Sequence, residues 1–386
     1  GVIFSTDEFV LNSPTPSSVK NWISQGLQAE AAVILAEIII GGESRGPHLF
    51  WADIADRSED GVITSRPGVV TTSLPLKTAL RGLDNATIAF KDFRVQRSGL
   101  LSRFCTVNKG GDYELALPKG CKRMVDILLS RLLTGRICLS EASIAHAMSR
   151  VRRSYEYTNG RELWRGRKER GPMMVDMPLV RGTLRDYSRT LAILARFLEA
   201  TREEVAECIR NDTFNADMIE ATCMCKFLGT GFAVDSNSAM RKVLGAQALM
   251  DSSWLGDASF LPNATSAAEG DNTVMELKVV QDMVRGRTSI LPLGLFAKAT
   301  FSCGPQGRRA VAVYLIRLLR AQLLGKRALQ DGQLLKDLAW ARAHLRILTT
   351  WSKACDSPSD ARPAVSSSWL QSYERVLMRF PVPVQA

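Results

Sequence analysis

Apolar and polar residues alternate in short runs over the first hundred positions, which is the pattern of strands with one buried face. The runs AAVILAEIII, HLFWADI, GVVTTS and NATIAFKDFRV are rich in β-branched and aromatic residues, and Gly, Pro, Asp and Asn separate them. Runs bounded in this way predict strands. The opening run, VIFSTDEFVLNSP, predicts two strands with a turn at Thr6 and Asp7. Because a strand is already under way at the first residue, we expect the chain to begin inside a β domain.

From about residue 120 the apolar residues recur at spacings of three and four, which predicts long helices. This pattern runs through CKRMVDILLSRLLTGRICLSEASIAHAMSRVRRSYEY, GTLRDYSRTLAILARFLEATREEVAECI and ADMIEATCMCKFLGTGFAVDSNSAMRKVLGAQALM. A stretch rich in Gly, Pro and Ser at 289–306 predicts a break, followed by helices at about 307–324 and 328–349. A Pro- and Ser-rich piece, DSPSDARPAVSSS, is expected to precede a short closing helix.

Strands first and helices after predict an α+β fold. We expect a β domain at 1–110, a helical bundle domain at 111–290 and a C-terminal helical region at 291–386. A length of 386 residues suits two or three domains and can bury a sizeable core. No apolar run approaches the roughly 18 residues of a membrane-spanning helix, so the protein is not expected to be transmembrane.

The charge of the chain is strongly basic. Lys and Arg number 50 against 39 Asp and Glu, which gives a net charge of +11. A basic surface can bind nucleic acid, an acidic membrane or a phosphate-bearing molecule. The basic residues cluster only mildly, at 150–170, and no nucleic-acid-binding motif accompanies them. We therefore favour a solvated basic face and expect no nucleic acid partner.

The eight cysteines and three histidines show neither a CxxC pair nor the spacing of a zinc site. Cys223 and Cys225 are two residues apart on a predicted helix, which points them to different faces. Free thiols in a reducing compartment and no metal site are expected. The GxGxxG, GxxxxGKS and HExxH motifs are also absent, and none of the histidines has an orienting motif for Ser–His chemistry.

The stretch ATSAAEGDNTVMELKVV places one carboxylate, Glu269, between small residues and the turn-forming Gly270. A helix at about 274–284 is predicted by the apolar spacing of Val274, Leu277, Val280 and Val284. A carboxylate before a helix is either an electrostatic cap or a general base, and small neighbours leave a base open to approach. The spacing alone leaves both interpretations open.

Several stretches, in the same order, resemble the acyl-CoA oxidase branch of the acyl-CoA dehydrogenase superfamily. They are EFVLNSPTPSSVKNWISQGL, RGPHLFWADI, GLDNATIAFKDFRVQRSGLLSRF, GRICLSEASIAHAMSRVRRSYEYTNGREL and LPNATSAAEGDNTVMELKVV, of which EGDNTV is the most specific. The resemblance covers the whole chain. It implies a β-barrel-like middle domain, then a helical bundle that carries EGDNTV, then a shortened second helical region.

The resemblance also implies chemistry, in which Glu269 removes the α-proton of a fatty acyl-CoA thioester while a hydride leaves the β-carbon for FAD. The oxidases reoxidise the flavin with O₂ and so belong to fatty acid β-oxidation. Family members complete each flavin site across a dimer, so we expect a homodimer or a subunit of a larger assembly. We also expect Glu269 to face the cleft between the β domain and the bundle.

Seven positions match the segments with which the family holds FAD: Trp22, Gly26, Arg161, Glu162, Gly245, Gly270 and Asn272. Two of these segments depart from the family pattern. The family's Gly-Gly-His-Gly-Tyr is GAQAL at 245–249, which adds side chains where bare backbone meets the dinucleotide. Glu162 places a carboxylate where the family presents an amide to the diphosphate. Trp22 is either a flavin wall or a packed aromatic of the β domain.

Because of these departures we expect FAD to bind weakly or not at all. The alternative function is therefore a catalytically retired homologue that serves as a structural subunit of a larger assembly. The family resemblance implies the peroxisome, although the C-terminus PVPVQA is not a signal of the Ser-Lys-Leu type. A mitochondrion or plastid is the alternative compartment.

Overall fold

A computed structural model gives the fold of the chain as two units, Gly1–Arg131 and Leu132–Ala386. The structure describes residues 2–3, 7–118, 123–164, 166, 171–211, 213, 215–250, 252–256, 260–302, 304–324, 328 and 330–355.

The first unit is built from short antiparallel strands. These are β1 (Val2–Ile3), β2 (Glu8–Leu11), β3 (Lys20–Ser24), β4 (Ala31–Ile40), β5 (Glu43–Asp53), β6 (Ala55–Arg57), β7 (Ile63–Ser65), β8 (Val69–Ser73), β9 (Asn85–Phe90), β10 (Phe93–Gln96), β11 (Cys105–Val107) and β12 (Tyr113–Leu115). Two sheets have three strands each, in the orders β1-β2-β10 and β3-β9-β8. The remaining strands form the hairpins β4–β5, β6–β7 and β11–β12.

The longest hairpin, β4–β5, shows how the sequence sets this architecture. Gly41 and Gly42 have φ of 60° and 85°, the left-handed conformation of a two-residue hairpin turn, and Ile40 pairs with Glu43. Alternate residues of β4 then face the core of the unit, which Ile34 and Ile38 enter as buried side chains. The predicted strand and its predicted end are both confirmed.

The second unit is helical. Its elements are α1 (Met124–Gly160), which begins before the boundary at residue 131, and then α2 (Pro178–Arg210), α3 (Ala216–Leu244), α4 (Leu261–Ala267), α5 (Asn272–Val284), α6 (Leu293–Ser302), α7 (Gly304–Leu324) and α8 (Gly332–Cys355). Helix α3 packs against α2, α4 and α5, and α8 packs against α2, α5, α6 and α7. No helix among these described residues is long and apolar enough to cross a membrane.

Helix α3 is central to the core because its side chains are buried on almost every face. Met224, Phe227 and Phe232 have no exposed surface. Buried charge accompanies this apolar packing, since Glu220 of α3 accepts hydrogen bonds from Arg342 at 3.2 Å and Arg346 at 3.3 Å, both in α8. A buried carboxylate is tolerated only when it is paired in this way.

The α+β fold class predicted from the sequence is confirmed, and the helix predicted at 274–284 is α5, which begins two residues earlier. The predicted break at 289–306 is wrong, because α6 occupies Leu293–Ser302 within it. Glycine, proline and serine mark the flanks of this stretch, whereas LGLFAKATFS itself packs on α7 and α8. The predicted closing helix lies outside the described residues, and the three-domain division stays a prediction.

Candidate active site

Glu269 lies in a tight turn between α4 and α5. Its backbone has a φ of 53°, and that of Gly270 is 96°, so two successive residues adopt left-handed conformations. A non-glycine residue in this region is uncommon, and its conformation persists only where surrounding contacts hold it. The side chain of Glu269 is exposed. The turn thus presents a carboxylate on a strained backbone, and its neighbours explain how that conformation is kept.

The sequence after the turn fixes where α5 begins. The Asp271 carboxylate accepts a hydrogen bond from the backbone N–H of Thr273 at 2.8 Å and so caps the helix. Gly270 has a φ of 96°, which side chains rarely adopt, and a Cβ there would also displace the terminal carbon of Met275, which lies 2.7 Å away. Cap and glycine together end the turn and start the helix within two residues.

Lys226 of α3 holds the turn from inside the core. Its ammonium donates to the carbonyl oxygen of Ser266, to that of Gly270 at 2.8 Å and to the amide oxygen of Asn272 at 2.9 Å. The side chain is completely buried. Burial lowers the pKa of Lys226 to about 8, while the nearby Asp271 carboxylate acts to raise it.

Arg136 of α1 supports the same turn from another helix. Its Nε donates to the backbone carbonyl of Glu269 at 3.2 Å, and its Nη1 lies 3.7 Å from the sulfur of Cys223. The guanidinium is buried, and burial also raises the pKa of the Cys223 thiol. Two buried cations, from α1 and α3, therefore bind the backbone on which Glu269 is carried.

The carboxyl group of Glu269 packs against Gly135 of α1. A Cβ at Gly135 would lie 2.8 Å from Cδ of Glu269 and 2.9 Å and 3.1 Å from its two oxygens. Only glycine leaves this space free. Sequence reasoning missed Gly135, Arg136 and Lys226, because nothing in their own segments shows that they meet the turn.

Arg161 and Glu162, the candidate FAD contacts at the end of α1, bind other groups of the protein. Arg161 is exposed, stacks on the ring of Tyr157 at 5.6 Å and donates to its hydroxyl. The Glu162 carboxylate accepts from the backbone N–H of Gly171 at 2.9 Å. Both side chains are thus held by groups of the protein itself, Arg161 by Tyr157 and Glu162 by Gly171.

The GAQAL segment at 245–249 forms a short 3₁₀ turn after α3. Gly245 has a φ of 63°, and nothing lies within 4 Å of the position of an added Cβ, so its backbone is open. Ala248 is buried in the helical core. The expectation that the Ala248 side chain obstructs a dinucleotide is therefore wrong, because that methyl group points into the protein; Ala246 remains exposed.

Trp22 and Gly26 lie in the first unit. Trp22 sits in a strand irregularity between Lys20 and Ile23 with a φ of 58°, and its side chain is 63% exposed. Within the described residues of this unit it is not the packed aromatic that we considered. Gly26 is closely packed, since a Cβ there would lie 2.7 Å from Cβ of Ala86.

The two remaining candidates belong to the turn itself. The amide oxygen of Asn272 accepts from Lys226 and, at 3.0 Å, from the hydroxyl of Thr230, and the carbonyl of Gly270 also accepts from Lys226. Of the sequence-predicted candidates in the helical unit, the exposed Arg161 and the open backbone at Gly245 are the two that lie at the surface without a carboxylate or a cation bound to them. These residues do not by themselves form a phosphate cradle.

Sequence comparison relates the chain to acyl-CoA oxidases. The peroxisomal acyl-coenzyme A oxidase 2 of Arabidopsis thaliana is 24% identical over 294 residues, which cover 72% of this chain and 41% of that protein. No protein-family profile matches the chain. The chain thus spans less than half the length of this curated relative.

Solved structures give the same relationship at the level of fold. Acyl-CoA oxidase 1 of A. thaliana has a TM-score of 0.78 at 19% identity, over 97% of this chain and 61% of that one. Acyl-CoA oxidase-2 of Caenorhabditis elegans, solved with FAD, ascaroside-CoA and ATP, has a TM-score of 0.73 at 18% identity, over 98% of this chain and 59% of that one. In sequence and in fold the chain is therefore similar to the acyl-CoA oxidases of the acyl-CoA dehydrogenase superfamily.

Proposed function

We propose that the chain is an acyl-CoA oxidase-like protein in which Glu269 removes the α-proton of a fatty acyl-CoA thioester. The observation that carries this proposal is the setting of the Glu269 carboxylate. It is exposed, it lies against the bare backbone of Gly135, and no described residue pairs with it in a salt bridge. A base has to be reachable and unpaired, whereas an electrostatic cap needs neither the glycine nor the strained turn.

The proposed step is a proton transfer. The α-C–H bond of the thioester breaks, the proton passes to an oxygen of Glu269, and the electron pair moves toward the thioester carbonyl. Because an α-C–H is a weak acid, hydrogen-bond donors have to stabilise the charge on that carbonyl. Loss of hydride from the β-carbon completes the α,β-desaturation, and FAD with O₂ is the acceptor system in the acyl-CoA oxidases.

FAD is the cofactor that the relatives support, since the C. elegans oxidase was solved with FAD bound. We propose that this chain holds it weakly. Glu162 adds a carboxylate next to Arg161 in the sequence, and the amide oxygen of Asn272 is already bound by Lys226 and Thr230. One lost charge-assisted hydrogen bond costs about 1.5–3 kcal/mol, and about 1.4 kcal/mol is tenfold in affinity. Two such losses bring a tight site to micromolar affinity.

The second candidate is a retired oxidase homologue that acts as a structural subunit. The same hydrogen bonds of Glu162 and Asn272 within the protein favour this candidate, and so does an apolar face on α7. Ile316, Leu319 and Leu323 of that helix are 66%, 56% and 81% exposed, one or two turns apart. We propose that this face, called the α7 face below, joins two copies of the chain or joins the chain to a larger assembly.

The proposed compartment is the peroxisome, supported by the names of relatives such as the A. thaliana oxidase. A mitochondrion or plastid stays the alternative. The C-terminal residues lie outside the described part of the chain and carry no argument in either direction.

The experiment that tests the proposed function compares the protein with Glu269→Gln, which removes the base and keeps the shape. Formation of enoyl-CoA and peroxide is measured on a fatty acyl-CoA while FAD is added up to high micromolar concentration. The wild-type protein is expected to purify nearly colourless and to gain activity as FAD is added. Glu269→Gln is expected to lower turnover by about 10²–10⁴-fold, the usual contribution of a general base.

Glu203→Gln, an exposed glutamate on α2 outside this site, is the matched control and should leave turnover unchanged. An equal rate for Glu269→Gln and wild type would rule out Glu269 as the base. A wild-type protein that stays inactive at saturating FAD would favour the structural-subunit candidate. Stoichiometric flavin after gel filtration would show that the FAD site is tighter than we propose.

A further inference from the structure

Lys226 is an unusual core residue because it is a buried cation with no carboxylate partner. It lies in the middle of α3 with no exposed surface, and among the described residues no Asp or Glu oxygen comes within salt-bridge distance of its ammonium. Burial of an unpaired charge is costly unless hydrogen bonds compensate for the lost water. The partners of this ammonium therefore indicate its role.

All three hydrogen bonds of Lys226 go to the turn that carries Glu269. Ser266 accepts on the α4 side, Asn272 accepts on the α5 side, and Gly270 accepts between them. An ammonium has three donors, so these acceptors account for its whole capacity. A residue that served only to fill the core would be apolar, since burying a charge there brings no gain in stability.

Lys226 binds the segment of backbone whose conformation is strained. Glu269 and Gly270 both have positive φ, and the peptide on either side of Gly270 is fixed by a cation. Arg136 binds the carbonyl of Glu269, and Lys226 binds the carbonyl of Gly270. Lys226 also binds the carbonyl of Ser266, so the backbone that carries the Glu269 side chain is held both before and after that residue.

We propose that Lys226 is a positioning residue, which holds both ends of the turn and so directs the Glu269 carboxylate to its place over Gly135. This inference rests on the proposed function of Glu269 as the base. Because burial lowers the pKa of Lys226 only to about 8, the ammonium keeps its three donors at pH 7. Lys226 makes no hydrogen bond to the carboxylate itself, so it positions Glu269 through the turn, and the two charges also interact through space.

Three variants test this role. Lys226→Met removes the donors and keeps the length of the side chain, and Lys226→Gln keeps N–H donors without the charge. Lys278→Met is the matched control, because Lys278 lies on α5 and pairs with Asp282, which keeps a second partner in Arg287. Amide hydrogen exchange of residues 266–272 is followed by mass spectrometry without ligand, and kcat and KM are measured with FAD added.

Lys226→Met is expected to speed amide exchange in the turn and to lower kcat by about a hundredfold, the cost of a displacement near 1 Å, with KM unchanged. Lys226→Gln is expected to recover part of both effects, and Lys278→Met to show neither. Unchanged exchange and unchanged kcat in Lys226→Met would overturn the proposal. Equal losses in Lys226→Gln and Lys226→Met would also overturn it, since donors would then be irrelevant.

The exchange measurement separates this inference from the proposed function. If the wild-type protein turns over no acyl-CoA, the proposed function fails, while faster exchange in Lys226→Met still supports the hold of Lys226 on the turn. If Lys226→Met does not fold, Asn272→Ala removes one acceptor and leaves the two carbonyls. Faster exchange at 266–272 in that variant supports the proposal, and exchange equal to the wild type contradicts it.

Discussion

Gly135 occupies a position of α1 where a side chain would meet the Glu269 carboxylate. In Gly135→Ala the new Cβ would lie 2.8 Å from Cδ, so the carboxylate has to move. The end of a flexible side chain moves easily, so the fold should persist and even gain from the better helix former. We expect kcat to fall about a hundredfold with a slightly higher melting temperature, measured by steady-state kinetics and thermal unfolding.

Gly182→Ala in α2 is the control for that substitution, because nothing lies within 4 Å of the added Cβ there. It should stabilise the helix by about 1 kcal/mol and leave turnover unchanged. A Gly135→Ala variant with full kcat would mean that the carboxylate does not act from its place over α1.

His344 gives a pH dependence of stability. It is buried in α8, and burial together with Arg317 lowers its pKa to about 4 from 6.5. Between about pH 6.5 and pH 4, His344 is therefore protonated in the unfolded chain and neutral in the folded chain. The free energy of unfolding should fall over this window by about 3 kcal/mol, and this residue should contribute nothing above it.

His344→Gln removes this titration. Its free energy of unfolding, measured by denaturant titration of the helical signal at pH 7, 6 and 5, should depend less on pH than that of the wild type. Parallel curves for the two proteins would show that His344 accepts its proton readily in the folded state.

Among single residues, those in the turn could be predicted from the local sequence, whereas those that contact the turn from distant segments could not. The turn at Glu269 and the helix after it follow from glycine, a capping residue and apolar spacing, all within one short segment. Lys226 donates to Gly270 from 44 residues away and Arg136 to Glu269 from 133, so only the fold brings them together. A lysine inside the apolar run CMCKFLGTGF is a signal of a buried, hydrogen-bonded side chain, but it does not show which segment supplies the acceptors.

Helix α7 is predicted to mediate self-association. Its buried side, with Tyr314 and Leu318, packs in the core, while the α7 face is apolar and exposed. A single helix with two apolar sides needs a second partner. Light scattering should therefore give a mass above that of one chain, and Ile316→Lys with Leu323→Lys should reduce it to one chain.

Gln322→Lys adds the same charge at a polar position of α7 and should leave the assembly intact. A wild-type protein that is monomeric at micromolar concentration, with its helices folded, would contradict self-association through the α7 face.

Helices with many turns of regular apolar spacing were predicted well, whereas a short helix between glycine, proline and serine residues was not. Helices α2 and α3 follow from many turns of apolar spacing. Helix α6 has fewer turns and lies among glycine, proline and serine, so the breakers at its flanks concealed it. Its helical state depends on packing against α7 and α8, which no local pattern shows.

For the whole molecule, the α+β class was predictable because the change of period is strong and occurs once. The cofactor site was less predictable, because its candidates are divided between the two units, Trp22 and Gly26 in the first and the others in the second. Within the second unit, contacts inside the chain changed the picture of two candidate positions. The side chain of Ala248 is buried, and the Glu162 carboxylate accepts a hydrogen bond from Gly171.

The central claim is that Glu269 takes a proton from the α-carbon of an acyl-CoA. An acyl-CoA with sulfur in place of the β-carbon can lose that proton but no hydride, so the reaction stops at the proposed step. The protein, added FAD and this analogue are incubated in D₂O, and α-deuterium in the recovered thioester is measured by mass spectrometry. We predict deuterium incorporation by the wild type at least about a hundredfold faster than by Glu269→Gln. Equal incorporation by the two proteins, or none by a wild-type protein that binds the analogue, would contradict the claim.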